Sequence, residues 1–306
     1  MFIHQPRFTP IHPMQHTLAN SFSCIGTGLH SGIKVMMTVM PAAENNGYTF
    51  HRRDLPVQRA EVAARYNRVT DTRLSTTISN EWGTRISTVE HLLAALYASG
   101  VDNAHIVLDG PEVPIMDGSA LPFTNLISQS GIRTQFEPRQ IMVINRAISV
   151  SDGDSVARLG PAAAPEIEMQ IDFDSEAIGR QQLRLPISAD SFSRDLAGAR
   201  TFGFREQLDT LTKLGLAKGG NLHNAILIAG DRVMNPDGLR YSDEFVRHKV
   251  LDALGDLALA GYRFIGRFSG YRTGHALNNQ LLHALMRSGD SWELWDRTEG
   301  KQQQVR

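Results

Sequence analysis

The feature that most restricts the fold is a pattern that occurs twice: a glycine-terminated helical stretch, an extended segment and a second helix. In the first half, residues 86–110 have apolar side chains at helical spacing, then a glycine and a strand-like segment, and residues 122–132 have the pattern of a short helix. In the second half, residues 248–261, 262–274 and 275–289 follow the same order. The likeness is one of pattern, without matching residues. The pattern therefore predicts two similar halves, each with helices and extended segments in the same order.

We expect the two halves to be separate domains, because a domain commonly has about 150 residues and this chain has 306. The expected boundary lies near residues 134–140, which gives an N-terminal domain of residues 1–135 and a C-terminal domain of residues 136–306. Residues 151–166, rich in glycine, proline, alanine and aspartate, are predicted to be a loop. A hairpin is predicted at residues 21–42. The polar C-terminal tail is expected to fray.

Composition excludes several classes of function. A formal net charge of −1 provides no bulk basic field, so we expect a small-molecule partner and no nucleic acid. The N-terminal segment lacks the apolar stretch of a signal peptide, and no segment approaches about 18 consecutive apolar residues, so we expect a cytoplasmic protein without a membrane span. The single cysteine, Cys24, excludes an intramolecular disulfide and a cysteine-rich zinc finger. Any bound metal must therefore be held by histidine and carboxylate.

A stripe of ionisable residues follows one face of the predicted helix of residues 248–261. At about 100° per residue, His248, Asp252 and Asp256 lie on the same side, opposite the apolar residues. The neighbours Gly255 and Leu259 fit a cleft wall better than a solvated face, which usually carries mixed charges. Spacing alone leaves the histidine and aspartate open to two interpretations, a metal site or a simple ion pair.

The segment "TVEH" adds a third candidate ligand, His91, with Glu90 about 100° further round the same helix. Two histidines, one carboxylate and an open fourth position are typical of catalytic zinc, and Glu90 would then be a general base beside a ligand. The alternative is that His91 is a hydrogen-bonded core residue and Glu90 a helix-surface residue. A His-Glu-x-x-His motif, a P-loop and a Gly-x-Ser-x-Gly elbow are all absent.

His275 follows Gly274 at the predicted start of a helix. A helix N-terminus disfavours imidazolium, so a histidine that acts as an acid there needs a nearby carboxylate to raise its pKa again. Asp256 is a candidate for that carboxylate. The alternative is a helix-capping histidine without a chemical role.

Six segments together resemble the family of UDP-3-O-(3-hydroxyacyl)-N-acetylglucosamine deacetylases, the zinc amidases of lipid A biosynthesis. They are "GLHSG", "ISTVEHLLAAL", "PEVPIMDGSALPF", "ARTFGF", "DGLRYSDEFVRHKVLDALGDL" and "GHALNNQLLHAL", in the family's order over roughly residues 15–288. The resemblance implies two α+β domains of like topology, with sheets outward, helices packed between them and the active site at the domain interface. It also implies a metal-dependent amidohydrolase that releases acetate and a free amine.

The resemblance assigns roles to the residues singled out above. It implies zinc ligands at His91, His248 and Asp252, with Glu90 as the base. Fe²⁺ accepts the same ligands and is possible in the cell. The resemblance further implies an oxyanion contact from Thr201 and an acid or cationic stabiliser at His275, oriented by Asp256. The protein is expected to be a monomer.

The resemblance also implies how the UDP-3-O-(3-hydroxyacyl)-N-acetylglucosamine substrate is bound. Lys249 and His30 match positions on the diphosphate side, and Phe173 matches the residue that stacks on uracil. The positions implied for the acyl channel and the neighbouring substrate contacts are Leu74, Phe202, Gly203, Leu208, Ala217, Gly220, Ala225 and Leu227.

The sequence departs from the family in three places. Asn221 stands where many members have serine, Ser75 replaces a cysteine seen near the metal in some members, and residues 174–185 are slightly shortened. The first departure puts the channel shape in doubt, and the second removes a thiolate contact to a second, inhibitory ion.

Three rival functions stay open on sequence grounds. They are a zinc amidase acting on another acylated amino sugar or a peptide, a non-catalytic nucleotide-sugar binding protein, and a thiol hydrolase using Cys24. The binding protein would be expected to lack Glu90 or a ligand, and this chain has both.

Overall fold

The computed structural model describes residues 14–295 and 302–303 of the chain. In chain order the strands of these residues are β1 (Met14–Leu18), β2 (Phe22–Thr27), β3 (Lys34–Pro41), β4 (Tyr48–Arg52), β5 (Glu61–Ala63), β6 (Val69–Asp71), β7 (Thr77–Ser79), β8 (Arg85–Ile86), β9 (Ala104–Leu108), β10 (Ile132–Pro138), β11 (Ile141–Ile144), β12 (Ile148–Asp152), β13 (Ser155–Gly160), β14 (Glu166–Asp172), β15 (Arg180–Pro186), β16 (Phe202–Phe204), β17 (Ile226–Ala229), β18 (Arg232–Val233), β19 (Arg263–Ile265), β20 (Arg267–Tyr271), β21 (Trp292–Trp295) and β22 (Gln302–Gln303). The α-helices are α1 (Val57–Ala60), α2 (Glu90–Ala98), α3 (Leu121–Ser130), α4 (Ala189–Ser191), α5 (Leu208–Lys213), α6 (Glu244–Ala258) and α7 (His275–Arg287). The predicted frayed tail lies outside the described residues except for β22.

Two five-stranded sheets have the same topology. One has the strand order β2-β3-β9-β4-β5 and the other β12-β13-β20-β14-β15. In each sheet the first two strands form an antiparallel hairpin. A strand from later in the chain, β9 or β20, lies between the second strand and the third. It is antiparallel to the second strand and parallel to the third. In each half a helix, α2 or α6, precedes that central strand, and another, α3 or α7, follows it. The predicted α+β fold with two similar halves is therefore confirmed.

Each half also has a small three-stranded sheet at the same point of its topology, between the fourth strand and the first long helix. The first insert contains β6, β7 and β8, and the second contains β16, β17 and β18. The remaining described strands form a β1-β10 pair and a sheet of order β19-β11-β21-β22. The two inserts are the parts of the halves that differ most in length.

Alternating burial shows which face of each five-stranded sheet meets the core. In β3, Val35, Met37 and Val39 are fully buried and alternate with more exposed residues, and β14 alternates in the same way. One face of each sheet is thus packed and the other is directed outward. Helix α2 is buried at every position and α6 at most positions, and the two helices pack against each other. The helices lie between the sheets.

Two glycines end the paired helices as predicted. Gly100 and Gly261 have φ values of 84° and 80°, in the left-handed region that ends helices at low steric cost.

None of the described helices is long and apolar enough to cross a membrane.

The hairpin prediction for residues 21–42 is confirmed by the antiparallel pairing of β2 and β3. The loop prediction for residues 151–166 is wrong over its first ten residues. There β12 and β13 pair with Asp152 opposite Ser155, and Gly153 occupies the turn with φ 54°. Glycine and aspartate here form a two-residue hairpin turn, which has the same composition as a loop. Only residues 161–165 connect strands without regular structure.

Candidate metal centre

Three side chains from the two central helices converge. His91 lies in the first turn of α2, and His248 and Asp252 lie one turn apart on α6. The Nε2 atoms of His248 and His91 are 3.2 Å and 3.5 Å from Oδ1 of Asp252. The candidate ligand atoms all lie within 4.8 Å of one another, and the three residues are buried. One ion could contact all three at the ligand distances of about 2.0–2.2 Å that zinc adopts.

The polar atoms of this cluster fit a divalent cation. Oδ1 of Asp252 is buried without a hydrogen-bond partner, and Nε2 of His91 faces it. Nδ1 of His248 lies 3.0 Å from the carbonyl oxygen of Ala199, so it carries the proton and leaves a lone pair on Nε2. Burial lowers the pKa of His248 to about 4, which keeps the ring neutral. A buried carboxylate oxygen between imidazole nitrogens is costly unless a cation compensates it.

Lys249 supports the charge of the aspartate. Its Nζ donates to Oδ2 of Asp252 at 2.8 Å. Burial alone would lower the pKa of Lys249, but the Asp252 carboxylate outweighs burial and raises it. Burial also opposes ionisation of Asp252, yet His248 and Lys249 hold the pKa of that carboxyl well below its usual range. The carboxylate is therefore charged at neutral pH.

Glu90 lies next to His91 at the start of α2 and is 2% exposed. Its Oε2 accepts a hydrogen bond from the backbone N–H of Thr76 at 3.0 Å. Burial raises the pKa of Glu90, although the neighbouring His275 and His91 act in the opposite direction. A carboxyl group with a raised pKa beside a cation site can exchange a proton near neutral pH. The alternative of a surface residue at position 90 is wrong.

His275 faces Asp256 rather than capping its own helix. Its Nδ1 donates to Oδ2 of Asp256 at 2.9 Å, while the N-cap residue of α7 is Gly274 and no side chain caps the helix. Burial alone would lower the pKa of His275, but the charge and hydrogen bond of Asp256 raise it to about 9. The ring is therefore an imidazolium at neutral pH. Asp256 also accepts from Nδ2 of Asn278 at 2.9 Å.

His30 is held at the junction of the first half and the second insert. Its backbone N–H and that of Ser31 donate to the buried carboxylate of Glu112 at 2.9 Å and 2.8 Å. Its Nδ1 accepts from the backbone N–H of Ala217 at 3.4 Å, and its buried Nε2 has no partner. Burial lowers the pKa of His30, so Nε2 carries the proton of a neutral ring. That N–H is available to a ligand acceptor.

A cavity of about 300 Å³ adjoins the cluster. It brings together two residues of the predicted UDP site, Phe173 and Lys249, and it includes Arg272. The Phe202 ring links this cavity to the centre, because it lies 5.8 Å from the Phe173 ring and 6.3 Å from the His248 ring. The Phe202 ring therefore lies between a ring that lines the cavity and the ring of a candidate ligand.

Thr201 lies two residues after the Ala199 carbonyl that contacts His248. Its backbone N–H donates to the carbonyl oxygen of Gly118 at 2.8 Å, and its own carbonyl accepts from Ile226 at 2.8 Å. These bonds fix the backbone of Thr201 between the two halves.

The predicted channel residues are distributed over both inserts. Gly203 pairs with Leu227 in the sheet of the second insert, and Gly220 follows a turn in which its N–H donates to the carbonyl oxygen of Ala217 at 3.2 Å. Ala225 immediately precedes β17.

Leu208 begins α5 and is 37% exposed, and Leu74 in the first insert is 49% exposed. Both lie at the protein surface, whereas Asn221 stabilises a turn by accepting from the His223 N–H at 2.8 Å.

Four residues that contact the site were not predicted from the sequence: Thr76, Glu112, Arg272 and Asn278. Asn278 lies three residues after His275 on α7, so helical spacing could have identified it. Thr76 contacts Asp256 across 180 positions and Glu112 contacts His30 across 82, so neither leaves a local pattern.

The structure thus defines a two-domain α+β protein with a His-His-Asp cluster on its central helix pair. The sequence profile of the family described as UDP-3-O-acyl N-acetylglycosamine deacetylase matches residues 15–287. The chain belongs to this family of deacetylases.

Relatives named UDP-3-O-acyl-N-acetylglucosamine deacetylase are similar over most of their length. The protein of Shewanella baltica is 46% identical over 282 residues, which cover 92% of each chain. That of Phenylobacterium zucineum is 45% identical over 280 residues, covering 92% of this chain and 96% of the relative. That of Shewanella oneidensis is 45% identical over 282 residues, with 92% of each chain covered.

Proposed function

We propose that the protein hydrolyses the N-acetyl group of UDP-3-O-(3-hydroxyacyl)-N-acetylglucosamine in a zinc-dependent reaction that supplies lipid A biosynthesis. The products are acetate and the free amine. The observation that carries the proposal is the buried Oδ1 of Asp252, which lies between His91 and His248 without a hydrogen-bond partner, beside a carboxyl group with a raised pKa. Family membership supports the acetamide as the bond that is cleaved.

His91, His248 and Asp252 would hold the ion. A bound Zn²⁺ supplies Lewis-acid chemistry that polarises a carbonyl and lowers the pKa of water to about 7, and Fe²⁺ accepts the same ligands. Glu90 removes a proton from the attacking water, for which its buried position and raised pKa are suited. The N–H of Thr76 holds the Glu90 carboxylate in one orientation during this step.

The tetrahedral oxyanion that forms on the substrate needs a donor. We assign this role to the hydroxyl of Thr201, and a well-aimed donor of this kind contributes about 3–4 kcal/mol. His275, protonated below a pKa of about 9, delivers a proton to the leaving amine. In the competing assignment Glu90 returns the proton it collected while the His275 cation stabilises charge. Both assignments need a protonated His275 and therefore predict the same loss of activity above a pKa of about 9.

Substrate binding follows from the region around the centre. We assign the diphosphate to the ammonium of Lys249 and the Nε2–H of His30, and the uracil to the face of Phe173. The acyl chain is assigned to the second insert, along residues 203–227. Burial of an acyl chain there would stabilise binding by about 0.8 kcal/mol per methylene group.

Three further assignments complete the proposal. The domain boundary is placed between residues 135 and 136, with the site between the domains. The protein acts as a monomer. The nucleotide-linked substrate supports a cytoplasmic location.

The test is release of free amine from the purified protein supplied with this substrate, before chelation, after chelation and after Zn²⁺ return. Loss and recovery of turnover are expected. Parallel assays with a substrate lacking UDP and with one lacking the acyl chain measure the contribution of each group. No turnover in the metal-replete sample would reject the proposal, and full turnover without the UDP group would support an amidase with another substrate.

A further inference from the structure

Thr76 lies in the first insert, directly before β7, and is 2% exposed. Its backbone N–H donates to Oε2 of Glu90 at 3.0 Å, and its hydroxyl donates to Oδ1 of Asp256 at 2.6 Å. The carbonyl oxygen of Thr76 also accepts from the N–H of Val89 at 3.3 Å, just before α2 begins. One residue therefore contacts the proposed base on α2 and the carboxylate that orients the proposed acid on α6.

The hydroxyl of Thr76 contacts the oxygen of Asp256 that the other donors leave free. His275 and Asn278 both donate to Oδ2, at 2.9 Å each, and among the hydrogen bonds of the described residues only Thr76 donates to Oδ1. Donors on a single oxygen leave a carboxylate some freedom to rotate about its Cβ–Cγ bond. A donor on the second oxygen fixes the carboxylate plane.

The plane of Asp256 sets the orientation of the His275 ring. Because Nδ1 of His275 donates to this carboxylate, a rotated carboxylate would tilt the ring and misdirect Nε2. Among the hydrogen bonds of the described residues, the Thr76 hydroxyl donates to Asp256 and to neither candidate histidine ligand. Its effect must therefore pass through that carboxylate.

We infer that Thr76 is a positioning residue that fixes the proposed base and the acid-orienting carboxylate relative to each other. The inference rests on the function proposed above. It assigns the Thr76 hydroxyl to orientation of Asp256 and His275, and the Thr76 backbone N–H to orientation of Glu90. A loss of the hydroxyl should reduce the chemical step and leave substrate binding unchanged.

The adjacent Thr77 provides a matched control. It is also buried, with 6% exposure, and its hydroxyl donates to Oγ of Ser87 at 2.9 Å, away from the proposed catalytic groups. Thr76→Val and Thr77→Val each remove one buried hydroxyl hydrogen bond while keeping the side-chain shape. Thr76→Ser keeps the hydroxyl and is the rescue variant. Thr76→Ala replaces Thr76→Val if the valine variant does not fold.

The first measurement is steady-state deacetylation by the zinc-loaded variants. Thr76→Val should lower kcat by about 10–100-fold, as loss of an outer hydrogen-bond partner typically does, with KM changed by less than about twofold. Thr76→Ser and Thr77→Val should stay within about threefold of the unsubstituted protein. Equal kcat values for Thr76→Val and Thr77→Val would overturn the inference.

The second measurement separates this inference from the proposed function. In ¹⁵N-histidine NMR spectra, the ring resonances of His275, assigned with His275→Gln, should show a protonated Nδ1 in the unsubstituted protein and in Thr77→Val. Thr76→Val should broaden or shift them. If the unsubstituted protein does not deacetylate the substrate but this spectral difference is present, the function fails and the positioning role stands. Identical His275 spectra in both valine variants would reject the positioning role.

Discussion

The two halves share one strand order, yet they contribute to the candidate site in different ways. The first half supplies Glu90 and His91, adjacent residues in the first turn of a helix of 9 residues. The second half supplies a stripe of three residues, His248, Asp252 and Asp256, along a helix of 15 residues. Equivalent helices in a repeated topology therefore carry different parts of the chemistry. The shared topology provides the scaffold, and the crossing of α2 and α6 decides which side chains meet.

The crossing depends on Gly255. A Cβ atom at this position would overlap the carbonyl oxygen of Glu90 and lie 2.9 Å from its Cα. The backbones of α2 and α6 therefore approach each other at the residue that we propose as the base. No topological rule requires this contact, which is a property of one glycine.

The largest expected effect comes from removing a ligand from either half. His91→Ala and His248→Ala should each lower turnover by about three orders of magnitude, because each loses several kcal/mol of charge stabilisation at the reacting carbonyl. Zinc content by atomic emission spectrometry should fall in both variants. Retention of zinc and activity in one variant would show that a single half is sufficient.

The next effect separates the proposed acid from the proposed base. His275→Gln should lower kcat by about 10²–10⁴-fold and change KM far less. The pKa of His275 is raised from 6.5 to about 9, so the ring is protonated below pH 9 and activity that needs its proton is lost above it. The fall of activity at acid pH is expected from protonation of Glu90, whose pKa is raised above 4.5 by burial. The measurement is kcat against pH for both proteins.

If the basic limb persists unchanged in His275→Gln, the proton of the leaving amine comes from elsewhere. A nearly unchanged kcat at neutral pH would also reject the acid role. Either result would transfer proton delivery to Glu90, in the first half.

A smaller effect is expected from Gly255→Ala, which tests whether the helix crossing holds the halves in register. The added methyl group should destabilise the fold by about 1–3 kcal/mol and weaken zinc binding, because the helices must separate. The matched control is Gly289→Ala, since a Cβ atom at Gly289 would have no neighbour within 4 Å. Chemical denaturation and zinc titration measure the two quantities. Equal stability of both variants would show that the α2–α6 crossing tolerates an added methyl group.

No effect on activity is expected from Cys24→Ser. Cys24 lies on β2 in the outer sheet of the first half, and burial raises the pKa of its thiol to about 11. A protonated thiol is a poor nucleophile at neutral pH. A loss of more than about tenfold in kcat would revive the thiol hydrolase interpretation.

The parts of the site that lie within one helix could be predicted from sequence. The positions of His248, Asp252 and Asp256 on one face follow from helical spacing, and the structure shows that face buried against α2 rather than solvated. Periodicity could not bring His91 to the same point, because that depends on the α2–α6 packing. The resemblance to a known family supplied this pairing.

Other contacts could not be predicted from local sequence patterns. Thr76 contacts Glu90 through its backbone N–H, which every residue except proline possesses, so its identity carries no signal for that bond. The hairpin of β12 and β13 was predicted as a loop because residues such as Gly153 serve tight turns and loops alike.

The backbone contact between Gly255 and Glu90 has a consequence for how the molecule works. The candidate ligand atoms on both sides of this contact lie within 4.8 Å of one another, so a hinge motion that separated the halves would pull the candidate metal centre apart. Under the function proposed above, the central helix pair stays fixed, and we expect substrate exchange to involve the inserts at its margin. Exchange rates should therefore respond to changes in the inserts, and the core should stay rigid throughout turnover.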